Sequence, residues 1–200
     1  MSSPTRKIVL TGAPGSGKST ICAELDRRHP GRFVVVPEAA TQYYRALGKR
    51  WDELDLPRRR DAQRGIFRLQ IEQEDRFAAA NPDRTLLLDR GTIDGGAYWP
   101  DGPADYWRDL GTSEAEQLAR YATVLVLETA AVIGLYDGPA SNNVRFERAN
   151  EAIENAKVLA TLWSAHPRTH LIRATPELET KVAAVEALVM NAISGWRTGG

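Results

Sequence analysis

One stretch constrains this chain more than any other: GAPGSGKST, residues 12–20, set directly behind a short apolar run. Gly12, Gly15, Gly17, Lys18 and Ser19 satisfy G-x-x-x-x-G-K-[ST] in full. A strand that breaks into such a loop and then starts a helix has a physical purpose. The glycines let backbone N–H groups curl around phosphate oxygens, the lysine reaches the outer phosphates, and the hydroxyl suits Mg2+. The N-terminus of the following helix adds its partial positive charge. Ala13, Pro14, Ser16 and Thr20 complete the candidate loop. The plain alternative, a glycine-rich turn with no ligand, leaves the agreement of motif and context unexplained.

The rest of the chain fits the same plan. Apolar runs at Lys7–Leu10, Phe33–Val36, Thr85–Leu88, Thr123–Leu127 and Thr169–Ile172 read as strands buried on both faces. Helical patterns lie between them. Ala62, Ile66, Leu69, Gln73, Phe77 and Ala80 form one stripe, and Phe146, Ala149, Ile153, Ala156, Ala160 and Trp163 another. Ser113 with Glu116 forms a capping box, and Thr175-Pro176 reads as the start of the last helix. This alternation predicts an α/β fold, a parallel sheet with helices on both faces. At 200 residues the chain suits one domain, 1–200.

Charge and cysteine content narrow the function. Lys plus Arg and Asp plus Glu number 26 each, so the net charge is zero and no nucleic-acid partner is expected. With Cys22 alone, no internal disulfide forms, and a cytoplasmic setting is expected. The polar start MSSPTRK is neither a signal peptide nor a membrane span. His29, His166 and His170 show no metal-ligand spacing. The guanine-reading Asn-Lys-x-Asp stretch does not occur, which favours ATP, with adenine expected near Arg173–Pro176.

A second acidic strand end follows in LDRGTIDGGAYW. Asp89 closes an apolar run, where a carboxylate can hold Mg2+, and Arg90 stands beside the phosphate site. A structural Asp–Arg pair is the alternative. Asp94 and two glycines come next, where a backbone can approach a ligand closely. Tyr98 and Trp99 could stack on a flat substrate, or serve as core.

On these residues the chain resembles the nucleoside and nucleoside-monophosphate kinase superfamily. From TGAPGSGKST through PEAA and LDRGTIDGGAYW to NVRFERANEA, it is most similar to the AAA-type ATPase/kinase group that includes the ribosylnicotinamide kinase domain of NAD-biosynthesis regulators. The resemblance implies a P-loop three-layer sandwich with five parallel strands in the order 2-3-1-4-5. It also implies a lid at about 134–150 whose arginines, Arg145 and Arg148, close over the transferring group. Ordinary helix pairing of Arg148 is the alternative.

Glu38 directs the reading toward an acceptor. Ligands of doubly wound sheets bind beyond the carboxyl ends of strands. There Glu38, Gly12 and Asp89 would meet in one crevice. An alcohol attacking a phosphoryl group must lose a proton, and a carboxylate base is worth about 10²- to 10⁴-fold. A phosphate acceptor is already ionised and needs none. Glu38 can also be a mere first-turn acid, and Asp94 is the rival base. Tyr43, Tyr44 and Arg45 follow on the next helix, and Gln63, Phe67, Gln70 and Glu74 share a face of another. Tyr43, Arg45, Gln70, Asp94 and Tyr98 are the candidate acceptor contacts.

The expectation is an ATP- and Mg2+-dependent kinase acting on a hydroxyl of a small molecule, a nucleoside or a similar ring-bearing metabolite. Lys18, Asp89, Glu38, Arg90 and Arg145 are its candidate catalytic residues, with Ser19 and Asp89 on the metal. Two alternatives stay open: a nucleotide-switched binding module, and a monophosphate kinase using Arg45, Arg64 or Arg68. Oligomeric state is open, a homodimer included.

Overall fold

The computed structural model describes residues 6–136 and 149–197. Its centre is one parallel sheet of five strands in the order β2-β3-β1-β4-β5. The strands are β1 (Lys7–Thr11), β2 (Phe33–Val36), β3 (Thr85–Asp89), β4 (Thr123–Leu127) and β5 (Thr169–Ile172). This is the expected order. β1 and β3 each run one residue past their apolar runs, because Leu10 pairs with Asp89 and Thr11 with Val126. The added residues, Thr11 and Asp89, carry their polar groups into the crevice at the strand ends.

Strand alternation divides the core in two. Ile8, Leu10, Leu87 and Leu125 face α1 (Lys18–Arg28) and α7 (Leu178–Arg197), meeting Ile21, Leu25, Val182 and Val185. Val9, Leu86, Leu88, Val124 and Val126 face the other way, toward Leu118 of α5 (Glu114–Leu118) and Leu162 and Trp163 of α6 (Ala149–Trp163). The described residues also form α2 (Ala39–Leu47), α3 (Leu56–Ala80) and α4 (Pro103–Leu110). Among the described residues no helix is long and apolar enough to cross a membrane.

Several local readings need correction. The capping box forms, with Ser113 N donating to Glu116 Oε2 at 2.8 Å and Glu116 N donating to Ser113 Oγ at 3.2 Å. The last helix, however, starts at Leu178. Thr175 donates its hydroxyl to Glu177 O at 2.8 Å instead of capping at 175–176. In α6 the buried positions are Ala152, Leu159, Leu162 and Trp163, while Ile153, Ala156 and Ala160 are only half-buried. In α3 the expected stripe holds in part: Ala62 and Gln73 are buried, and Ile66 and Phe77 are half-buried. Ala80 is exposed and Leu69 half-buried, while Gln63, Phe67, Gln70 and Glu74 are buried. Apolar periodicity misreads that face because its polar groups find partners inside the protein. Phe146, Arg145 and Arg148 lie outside the described residues.

Candidate active site

The phosphate loop joins β1 to α1. Gly12, Gly15 and Gly17 take φ of 145°, 75° and 87°, the left-handed region that side chains rarely enter. At Gly12 a Cβ would also stand 2.2 Å from Leu127 O, so the loop lies hard against the end of β4. Lys18 is buried and reaches back across its own loop. Its Nζ donates to Gly12 O at 2.7 Å, Ala13 O at 3.3 Å and Ser16 Oγ at 3.0 Å. The ammonium therefore sits within the bend that the motif builds.

β3 lies beside β1, which brings its terminal carboxylate to the first turn of α1. Ser19 Oγ donates to Asp89 Oδ2 at 2.5 Å. Asp89 Oδ1 is buried and accepts from nothing. Burial, and then the negative charge of Glu38, push the Asp89 carboxyl above the usual carboxylate range. Mg2+ is a hard cation that takes oxygen ligands, usually one or two from protein, with phosphates and waters completing the set. A hydroxyl beside an unsatisfied carboxylate oxygen fits that demand. Among the described residues no cluster of three or more His, Cys, Asp or Glu could hold a metal ion.

Next along the chain, Arg90 adopts φ 79°. A left-handed arginine costs roughly 1–2 kcal/mol, and the surrounding contacts hold it there. Its N–H donates to Leu10 O at 2.9 Å, and its carbonyl accepts from Gln70 Nε2 at 3.3 Å. The guanidinium then spans two carboxylates, Nε donating to Glu38 Oε1 at 2.5 Å and Nη1 to Asp94 Oδ2 at 2.9 Å. The third nitrogen, Nη2, is buried without an acceptor. Against the opposing effect of burial, the Tyr98 hydroxyl and then the Glu38 and Asp94 carboxylates hold the Arg90 proton well above the ordinary range.

The two acids flanking Arg90 differ. Asp94 also accepts from Thr11 Oγ1 at 2.8 Å and from Trp163 Nε1 at 2.6 Å. Its oxygens are committed to β1, α6 and Arg90. Glu38 accepts from Thr41 Oγ1 at 2.6 Å besides Arg90, and its side chain is 11% exposed. It precedes α2 without capping it by a side-chain hydrogen bond.

These groups wall a cavity between α2, α3 and the turn after β3. Glu38, Arg90, Asp94, Gln70 and Tyr98 all line it. Gln70 is anchored by donating to Glu74 Oε1 at 3.0 Å, and the Tyr98 ring lies 5.6 Å from Arg90 Cζ. Two expected contacts fall elsewhere. Arg45 is exposed on α2 and outside the wall. Tyr43 packs over Gly65, where a Cβ would lie 2.2 Å from its ring, and its neighbour Tyr44 takes the place in the wall. Reasoning from sequence missed Trp51 and Tyr106, which line the cavity from a 3₁₀ turn and from α4. Their signal was only that of aromatics near helix starts.

A family profile described as "AAA domain" matches residues 7–181. Among curated proteins none matches in sequence. Two solved structures share the fold: a NadR protein in complex with NAD and AMP-PNP, at TM-score 0.67 and 16% identity, and a NadR protein in complex with NR, at TM-score 0.66 and 17% identity. Each comparison covers 96% of this chain and 50% of the other, so the chain spans half the length of these neighbours. The loop, its Ser19–Asp89 pair and the strand order thus agree with the sequence profile, and the chain belongs to the AAA domain family with a P-loop α/β fold.

Proposed function

We propose that this protein transfers the γ-phosphoryl group of ATP to a hydroxyl of a small, ring-bearing acceptor that carries no phosphate. The observation that carries this is the wall of the cavity. A carboxylate, Glu38, stands there beside the end of β3, held by Arg90 and facing a space lined by Tyr44, Phe67, Tyr98 and Tyr106. Aromatic walls with few polar groups suit a flat ring. The AMP-PNP and NR bound to the NadR neighbours are of the kind such a reading calls for.

The chemistry follows from the groups in place. The loop N–H groups and Lys18 bind the phosphates. Ser19 and Asp89 would hold Mg2+, which when bound neutralises charge on the phosphate oxygens. Glu38 takes the proton of the acceptor hydroxyl as its oxygen bonds to phosphorus and the bond to the ADP oxygen breaks. Arg90 fixes Glu38, and its unpaired Nη2 offers a donor to the transferring group. Arg145 and Arg148 belong to this proposal as lid residues.

The cavity argues against a monophosphate acceptor. Among its described lining residues Arg90 is the one cation, and it already faces two carboxylates. Arg64 is paired with Asp61 and Asp109, and Arg68 is exposed on α3 outside the wall. Among the described lining residues a dianion would meet no cation without carboxylate partners.

The test is ADP production from Mg·ATP with and without pooled nucleosides, ribosylated vitamins, sugars, amino alcohols and monophosphates, with mass detection of new phosphate esters. An ester on an unphosphorylated acceptor supports the proposal. An ester formed only on monophosphates overturns it. Slow ADP release unchanged by every pool favours a nucleotide-switched module.

A further inference from the structure

The phosphate loop is gripped from outside by groups that the glycine motif does not contain. Three consecutive loop carbonyls each accept a hydrogen bond from beyond the loop. Thr129 Oγ1 donates to Pro14 O at 2.6 Å, Ala130 N to Gly15 O at 3.1 Å, and Lys181 Nζ to Ser16 O at 2.9 Å. Thr129 follows β4 and opens the 3₁₀ turn Ala130–Ile133, while Lys181 comes from α7. Both side chains are buried. Lys181 also donates to Glu128 O at 2.6 Å, so one ammonium ties the loop to the end of β4.

The direction of these bonds matters. In a planar trans peptide the C=O and the next N–H point opposite ways. Drawing the carbonyls of Pro14 and Ser16 outward turns the N–H groups of Gly15 and Gly17 to the inner side of the bend. Lys18 Nζ, bonded to Gly12 O and Ser16 Oγ, spans the same bend. The intervening Ser16 N closes a turn onto Ala13 O at 3.2 Å. Glycines permit this conformation but do not select it. The outer donors do the selecting.

We infer that Thr129 and Lys181 are positioning residues for nucleotide binding, holding the loop amides in their phosphate-accepting orientation before ATP arrives. The inference rests on the proposed ATP binding. Without the clamp, part of the binding energy must be spent on ordering the loop.

The test measures ATP affinity by calorimetry and thermal melting for the wild type and for Thr129→Val, Thr129→Ser and Lys181→Met. Loss of a buried hydrogen bond weakens ATP binding roughly tenfold in Thr129→Val, and more in Lys181→Met. Thr129→Ser keeps the hydroxyl and returns to within about threefold of wild type. Lower melting temperature with unchanged ATP affinity, measured well below the transition, overturns the inference and leaves a structural role only. If Lys181→Met does not fold, the valine and serine variants decide. A wild type that fails to bind ATP overturns the proposed function and the clamp with it, whereas a wild type that binds while the valine variant matches it overturns the clamp alone.

Discussion

Ser19 Oγ donates to Asp89 Oδ2 across the junction of α1 and β3, while Asp89 Oδ1 is buried with no donor. A half-satisfied carboxylate in a protein interior is a stability cost. Asp89→Asn removes the charge and keeps an oxygen for Ser19. The metal-free variant should melt higher than wild type by about 3 °C, corresponding to ~1 kcal/mol at this chain length. Phosphotransfer should fall roughly 10²-fold or more. Parallel melting curves without Mg2+ and rates with Mg·ATP check the pair of effects. A variant that melts lower would show that the carboxylate is structural.

Glu38 and Asp94 flank the same arginine, but they differ in setting: Asp94 accepts from Thr11, Arg90 and Trp163, whereas Glu38 accepts from Arg90 and Thr41 and lines the cavity at its partly exposed edge. Glu38→Gln should leave ATP affinity within about threefold and slow acceptor phosphorylation by about 10²- to 10⁴-fold. Calorimetry of ATP binding and single-turnover phosphorylation separate the two quantities. Near-normal transfer with intact ATP binding would remove Glu38 from the base role.

Asp94 should behave as a keystone. It accepts from Thr11, Arg90 and Trp163, joining β1, the end of β3 and α6. An amide at this position would turn an N–H against one of those donors. Asp94→Asn is therefore expected to cost about 2–4 kcal/mol, lowering the melting temperature by roughly 5–15 °C. Denaturant unfolding measures it. Unchanged stability with lost activity would return Asp94 to the catalytic candidates.

How much of this was legible beforehand follows from where each group finds its partners. β1, β3 and β4 were legible because both faces are buried and each reads as an apolar run, whereas the expected burial of β5 on both faces needs correction, since His170 and Leu171 on this edge strand are exposed. The phosphate loop was legible because its chemistry is set by spacing. Glu38 and Asp89 stood out as charges ending such runs. The cavity side of α3 was legible as a shared face of Gln63, Phe67 and Gln70, but its burial was not. Glu74 is fully buried there, accepting from Lys7 Nζ at 2.9 Å, Arg120 Nη2 at 2.8 Å and Tyr121 OH at 2.9 Å. No periodicity of apolar residues reveals a face satisfied by groups distant in sequence. Asp94 was ambiguous for the same reason, since its donors come from three elements.

Lys181 gives the last prediction. Burial lowers its pKa from 10.5 to about 8, with the charge of Glu128 opposing the shift. In the unfolded chain it titrates near 10.4. Between these values the unfolded state binds more protons than the folded one, so this group makes stability rise with pH. Its contribution is complete above the unfolded pKa and is lost as pH falls through about 8. Wild type should gain stability relative to Lys181→Met as pH is raised from 7.5 to about 10, because the other titrating groups cancel in the comparison. Over the same range ATP affinity should move the opposite way, since a neutral amine grips Ser16 O more weakly than an ammonium does. Urea unfolding and calorimetry across that range test both slopes. A stability difference that does not change with pH would mean that Lys181 keeps its ordinary pKa in the fold, and the two opposed trends would vanish together.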